Sequence, residues 1–443
     1  MIEAHYHIYH HQNLEGLPAF VPGLVPVALM GKPGVTRKRL VQSLRNDMAR
    51  LREDGAAKGI VDPGYTKIGA SVHGKELLAL KVGKGEKHKV LVVGCHHARE
   101  WISVEVPFLI AKYLIDNYTD APSARDDDEV TLAEKKRIKH LLDNRQIWFV
   151  PMVNPDGHTY SMLRDRDWRA NRQRYHLGPD KIVAKQHGGA GPSGEATREI
   201  TVVPEEDGYR GVDINRNYPT LDWGHETYAG DQVQTSRDPG DCKRGVWCGP
   251  WPGSERETQA IVGLFQQNHF KAAISYHSYG KFLVYSDLVR SAPYLRHIGR
   301  GMLDLLNHNP DSQGHYKYQY INGDREPLYP ITGHFADFCF EQSPGQPTFT
   351  NELPPHDKHP RCKQWAFSGL PESEIGPTFR ENLGAALALI NSAGFSQPAD
   401  AQRICVQAGA HTVQVVDNCW QVFAGWTADD QPATTAVPED QRG

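Results

Sequence analysis

The stretch VLVVGCHHAREWISVE, residues 90–105, places two histidines, an arginine, two glutamates and a cysteine directly behind an apolar run. His97 and Glu100 stand three apart, a spacing that one helical turn or a tight loop brings to one side. Imidazole and carboxylate both ligate zinc, and a third ligand from elsewhere would complete a site with an open coordination position. His96 has no carboxylate at that spacing, and strand alternation turns it away from His97. Alone, a His-x-x-Glu pair also arises by chance, with a structural histidine beside an exposed ion pair as the bland reading. Its company changes that. NPDG, VDINRN and SYHSY also hold polar groups behind apolar runs. On one sheet such ends collect in a single cleft.

Positioning those ends requires strands and the helices that cover them. HKVLVVGC, RQIWFVPMVN and FKAAISYHSY read as buried strands. SVEVPFLIAKYLIDNY, SERETQAIVGLFQQN and GPTFRENLGAALALINSAG read as helices. Their alternation implies an α/β fold with a mixed sheet. Ahead of them, a helix is expected over 36–54, with Leu40, Leu44, Met48 and Leu51 on one face. Residues 176–209 are polar and glycine-rich, a long surface loop of the kind that is functional or disordered. After about residue 396 the alternation of RICVQAGAHTVQVVDNCWQVFAGW suggests a small β-hairpin, followed by a frayed end. Three units are therefore expected: an N-terminal segment 1–60, a main domain 61–395 and a β-rich tail 396–443. No internal repeat is visible.

Composition narrows the class. A chain of 443 residues, 39% hydrophobic and 23% charged, is globular in character. A net charge of -4 gives no electrostatic case for nucleic acid or an anionic membrane as partner. No apolar run approaches the roughly 18 residues of a membrane span. The opening MIEAHYHIYHHQ does not read as a signal peptide. Of seven cysteines, Cys242 with Cys248, Cys339 with Cys362 and Cys405 with Cys419 are conceivable pairs, with Cys95 left single. Seven reduced thiols is the alternative. The loop placement favours an oxidising compartment, so a secreted or periplasmic location is expected.

Taken together, GCHHAREWIS, VNPDG, RDWRANR, GVDINRNY, SERET, ISYHSYG, LYPITGHFADF and TFTNEL, in that order over about residues 64–395, make the chain resemble a zinc carboxypeptidase of the carboxypeptidase A type. The resemblance implies a single mixed, twisted sheet of eight strands flanked by helices. It implies one Zn2+ held by His97, Glu100 and His277, the two-His-one-Glu set for which carboxypeptidase A is a standing example. Asp213 would accept a hydrogen bond from the far nitrogen of His97, fixing its tautomer. Glu352 would be the general base that takes a proton from the attacking water and delivers it to the leaving amine. Arg169 would stabilise the oxyanion, with Arg99 and Arg166 as further arginines on the substrate side.

Asn215, Arg216 and Tyr329 match the residues that hold a substrate's terminal carboxylate, a job suited to a planar guanidinium fork. Ala336 occupies the position that most strongly sorts side-chain preference, where an acid would favour Lys or Arg. Ile331, His334 and Thr350 would complete that pocket, which points to release of an aromatic or aliphatic C-terminal residue. His334 replaces a smaller residue; it would narrow the pocket or, if protonated, tolerate an acidic end. The partner implied is a peptide or N-acyl amino acid with a free carboxylate, taken by a monomer. Residues 1–60 stand where relatives carry an inhibitory prodomain, as a remnant or replacement. The rival readings are an amidohydrolase or murein peptide hydrolase on the same fold, a catalytically silent binding relative, and an adhesion module in the tail.

Overall fold

The computed structural model describes residues 41–393, except 63, 65, 126, 176–210, 226, 229–230, 233, 239–240, 242–244, 286–292, 309–316, 323–330 and 344–345. Leu40, Tyr329, the 176–209 segment and the 396–443 tail lie outside the described residues, as do Cys242, Cys405 and Cys419.

The chain begins with α1 (Val41–Ala57) and the hairpin β1 (Thr66–Ala70) and β2 (Glu76–Val82). Then come β3 (Lys89–Gly94), α2 (Ile102–Asn117), α3 (Glu129–Asn144), β4 (Gln146–Val150) and α4 (Pro155–Leu163). A two-stranded ribbon, β5 (Thr227–Tyr228) and β6 (Asp231–Gln232), precedes α5 (Arg256–Asn268). The second half holds β7 (Ala272–Gly280), β8 (Phe282–Tyr285), α6 (Pro293–His308), β9 (Gln319–Asn322) and α7 (Phe335–Gln342). It closes with β10 (Thr348–His356), α8 (Cys362–Trp365) and α9 (Ile375–Ser392).

Eight strands form one mixed sheet in the order β1-β2-β4-β3-β7-β10-β8-β9. Its centre, β4-β3-β7-β10, is parallel, the pairs β1–β2, β2–β4 and β10–β8 are antiparallel, and the edge pair β8–β9 is parallel. The parallel strands are apolar on both sides because both faces are covered. Val90 and Val92 of β3 enter a cluster with α1, α2, α6 and α9, whereas Leu91 and Val93 enter a second cluster under α5 and α7. Leu44, Met48 and Leu51 of α1 share the first cluster, so this helix packs into the main core. Burying each such side chain contributes about 1.5–3 kcal/mol.

Cys339 packs within the second cluster, Cys362 opens α8, and both are buried and free, so the conceivable Cys339–Cys362 bridge is not formed. No helix among the described residues is long and apolar enough to cross a membrane.

Candidate metal and substrate site

The site begins where β3 stops. Gly94 is its last residue, and a side chain there would meet the Ser103 carbonyl at 2.0 Å, so only glycine lets α2 start so close. Cys95 then adopts a left-handed backbone, with φ 58°. Asn154 of NPDG pins the loop that follows. Its Nδ2 donates to the carbonyls of His96 and Ala170, both at 3.1 Å, while its Oδ1 caps α4 at Gly157. The Ala98 N–H donates to the Arg169 carbonyl at 2.8 Å. The turn residues of NPDG thus tie the loop carrying His97 and Glu100 to the one carrying Arg169.

His277 comes from β7 and lies across from Glu352 in the β7–β10 register. His97, Glu100 and His277 converge, all buried, with one ligand atom from each within 4.8 Å of the others. The two Nδ1 atoms face each other at 3.1 Å; Glu100 Oε1 lies 2.8 Å from His97 Nδ1 and Oε2 lies 3.0 Å from His277 Nδ1. Two lone pairs and two carboxylate oxygens aimed at one point suit a cation. A tetrahedral zinc with bonds of about 2.0–2.1 Å spaces its nitrogen donors by about 3.3 Å. The donor set therefore fits zinc. Among the described residues this is the one such group.

The surroundings prepare these ligands. Asp213 Oδ1 lies 3.2 Å from His97 Nε2, leaving Nδ1 for the metal. Its other oxygen accepts from Arg169 Nε and Nη2, each at 3.0 Å. Burial alone would push the Asp213 carboxyl up, but Arg169, His97 and Arg216 outweigh it and hold it well below the usual range. Glu100 follows the same pattern: His97 and His277 overcome burial and keep it ionised. Burial pushes His277 down to about 4, so its imidazole is neutral, as a ligand must be.

Arg169 also donates from Nε to the Gly245 carbonyl at 3.0 Å. Gly245 has φ +69°, and a side chain there would meet the Arg169 stem at 2.8 Å.

A cavity of about 260 Å³ opens in front of the ligands. Its walls include Arg99, Arg169, Asn215, Arg216 and Glu352, together with Ile331, His334 and Thr350. Arg216 is fixed by Nε to the Gln234 carbonyl and Nη1 to the Asn215 carbonyl, at 2.9 and 2.8 Å. Asn215 Oδ1 accepts from the Phe335 N–H at 3.0 Å. His334 stands at the N-terminal end of α7, makes no side-chain cap hydrogen bond there, and pairs with Asp337 at 2.7 Å. Glu352 is half-buried, and burial together with Glu100 raises its pKa well above the usual range despite Arg169 and Arg216.

Four expected residues stand back from the cavity wall, the buried ligand His277 among them. Asp213 lies behind Arg169. Arg166 donates to the Ser368 carbonyl at 3.2 Å and sits 5.3 Å from the Trp101 ring. Ala336 is 1% exposed in the first turn of α7 and does not line the cavity.

Four wall residues were not legible from sequence: Ser278, Tyr279, Val284 and Phe367. Ser278 and Tyr279 follow His277 directly, a signal that could have been used. Phe367 gives none: a loop brings it in with φ 51°, under the Arg99 guanidinium at 3.8 Å.

His96 corrects an expectation. It is not turned away from the ligands but flanks the His277 ring on one side, at 5.3 Å and 9° between planes, while His97 approaches at 4.6 Å. The cause is the end of the strand at Gly94: with Cys95 left-handed, alternation no longer governs the next residue. Burial first, then His277 and His97, hold its pKa well below the usual histidine range.

A second buried acid pair lies outside the cavity. Glu255 and Glu257 share the Asn171 amide, at 2.6 and 3.2 Å. Burial and Glu255 push Glu257 up to about 7. In the unfolded chain Glu257 loses its proton from about pH 4.5, while the folded protein keeps it to about pH 7. Stability therefore falls across that window as pH rises. Glu257→Gln removes the titration. The unfolding free energy gained by the variant over the wild type is expected to be greater at pH 8 than at pH 5, by on the order of 3 kcal/mol. Urea unfolding at both pH values, with zinc saturating, measures this; equal differences would refute it.

The zinc carboxypeptidase family profile matches residues 64–385. Mast cell carboxypeptidase A of Homo sapiens is 27% identical over 327 residues, covering 72% of this chain and 62% of that protein. Carboxypeptidase B of Rattus norvegicus is 27% identical over 335 residues, covering 73% and 64%. The chain thus spans a little under two thirds of the length of these relatives. Among solved structures, bovine thrombin-activatable fibrinolysis inhibitor superposes with a TM-score of 0.57 at 23% identity, covering 81% of this chain and 98% of that one. Carboxypeptidase A from Helicoverpa armigera gives 0.60 at 18%, covering 81% and 74%. At those identities the likeness is one of fold.

Proposed function

The chain belongs to the zinc carboxypeptidase family, and on that premise we propose that it is an exopeptidase releasing one C-terminal residue with an apolar side chain. One observation carries the reading: a single cavity has the ligands His97 and Glu100, Glu352, Arg169 and the Asn215–Arg216 pair in its walls, with the third ligand, His277, grouped with His97 and Glu100 directly behind them. Zinc, when bound, supplies a Lewis acid and makes water acidic enough to attack near neutral pH. Glu352 takes the proton of the attacking water and returns it to the leaving amine. Arg169, held by Asp213 and Gly245, faces the oxyanion as it forms. Arg216 and Asn215 bind the terminal carboxylate and so restrict cleavage to a chain end.

The uncharged part of the cavity wall favours an apolar residue. Val284, Ile331 and Thr350 carry no charge there. The nearby acid Asp337 is engaged by His334. A secreted location belongs to the same reading.

The test uses blocked dipeptides ending in Phe, Leu, Arg or Glu, each as free acid and as amide, with and without a zinc chelator. Chelator-sensitive cleavage of the Phe and Leu acids, with the amides inert, is expected. Arg216→Leu should lower kcat/KM on the acids by roughly 10²–10³-fold, because charge-assisted hydrogen bonds to the carboxylate are lost. Equal cleavage of acid and amide would shift the reading to an amidase or endopeptidase. No cleavage by a zinc-loaded protein would leave a silent binding relative.

A further inference from the structure

His96 is fully buried, and the roles assigned above leave it without a task. Its Nε2 lies 2.7 Å from the Tyr218 hydroxyl and its Nδ1 lies 3.0 Å from the Ser275 hydroxyl. A neutral imidazole offers one donor and one acceptor, and a hydroxyl can meet either. Both nitrogens are therefore occupied, so His96 is not itself placed to ligate a metal and cannot rotate without breaking both bonds. Its ring is also confined by Phe335, 5.5 Å away, and by the edge of Tyr218 at 5.7 Å.

What these contacts join is informative. Ser275 lies two residues before His277 on β7, on the same side of the strand. Tyr218 follows the segment that carries Asp213, Asn215 and Arg216, and is anchored by its N–H to the Gly333 carbonyl. His96 itself immediately precedes His97. One imidazole thus ties together the three segments that supply the metal ligands and the carboxylate-binding pair. Its face lies 9° from parallel to His277, and His97 approaches the same ring at 59°. Neighbours so placed restrain the His277 ring from swinging its Nδ1 off the metal position.

We propose that His96 is a positioning residue: it sets the plane of the His277 imidazole and locks the segment carrying Asn215 and Arg216 to the metal site. The inference rests on the zinc reading above. The effect should be visible in metal binding itself, since ligand geometry must be held within small tolerances by the groups around it.

The experiment compares the full chain with His96→Leu, His96→Phe and His96→Gln. Zinc affinity is measured by chelator competition, and the visible spectrum of the cobalt(II)-substituted protein reports ligand geometry. His96→Leu is expected to weaken zinc binding about 10–100-fold and to shift the cobalt bands. His96→Phe keeps a flat ring beside His277 and should lose less affinity, while raising KM for the free-acid substrate through the freed Tyr218 segment. If His96→Leu does not fold, His96→Phe and His96→Gln carry the comparison. Wild-type zinc affinity and an unchanged cobalt spectrum in the folded variants would overturn the proposal, even if their metal-free forms melt at lower temperature. A wild-type protein that binds no zinc would instead overturn the metal reading on which it stands.

Discussion

Glu352→Gln is expected to lower kcat by roughly 10³-fold, within the 10²–10⁴ range of general acid–base catalysis, while leaving zinc content unchanged and KM within a few-fold. Glu352 sits on β10 across from His277, so the strand register fixes it beside the metal ligands. It lines the same cavity as Arg169 and Arg216. Glutamine preserves the shape and hydrogen-bonding reach of the side chain but cannot accept a proton under these conditions. A loss confined to kcat, with stoichiometric zinc and an unchanged unfolding midpoint, assigns the defect to proton transfer. Full turnover by the variant would sink the assignment of the base.

How much of this was legible in the sequence depends on which force set each feature. The strand that leads to His97, β3, and the strand that bears His277, β7, start as apolar runs because both faces of the sheet are covered, and that signal survives in one sequence. The helices α2, α5 and α9 declare themselves by length and periodicity. β10 does not. Its segment TFTNELPPH holds two adjacent prolines, which ordinarily demote a strand. Glu352 is the fifth of nine residues in a strand paired on both sides. The prolines fall past that paired stretch, where the register with β7 is already irregular.

Site geometry was less legible than site composition. His97 and Glu100 could be paired by spacing, but the role of the neighbouring His96 turned on one left-handed residue, Cys95, whose φ no pattern announced. Ala336 shows the same limit from the other side. Its motif was recognisable, but its burial in the first turn of α7 depends on packing against the sheet. The bridge between Cys339 and Cys362 failed because one cysteine serves an apolar cluster and the other a helix start. Spacing in sequence carries no information about either environment.

The second large effect is expected from the pair that links the metal ligands to the oxyanion arginine. Arg169→Met should lower kcat by about 10²–10³-fold, the cost of removing one preorganised donor to a developing oxyanion, with little change in zinc affinity. Asp213→Asn should do two things at once, since Asp213 faces His97 Nε2 at 3.2 Å and accepts from Arg169 at 3.0 Å. The amide can still meet one partner, but not both with a full negative charge. Zinc affinity should fall about 10–100-fold through the loosened His97, and kcat should fall through the misplaced guanidinium even at saturating zinc. Groups that act as a unit are not additive. At saturating zinc, the double variant should therefore be only slightly slower than Arg169→Met alone, because Asp213 acts on the oxyanion only by holding Arg169. Steady-state kinetics on a blocked Phe dipeptide for the four proteins close the cycle. Losses in kcat that multiply would mean that Asp213 contributes to catalysis independently of Arg169, and the bridge seen in the structure would be a contact without kinetic consequence.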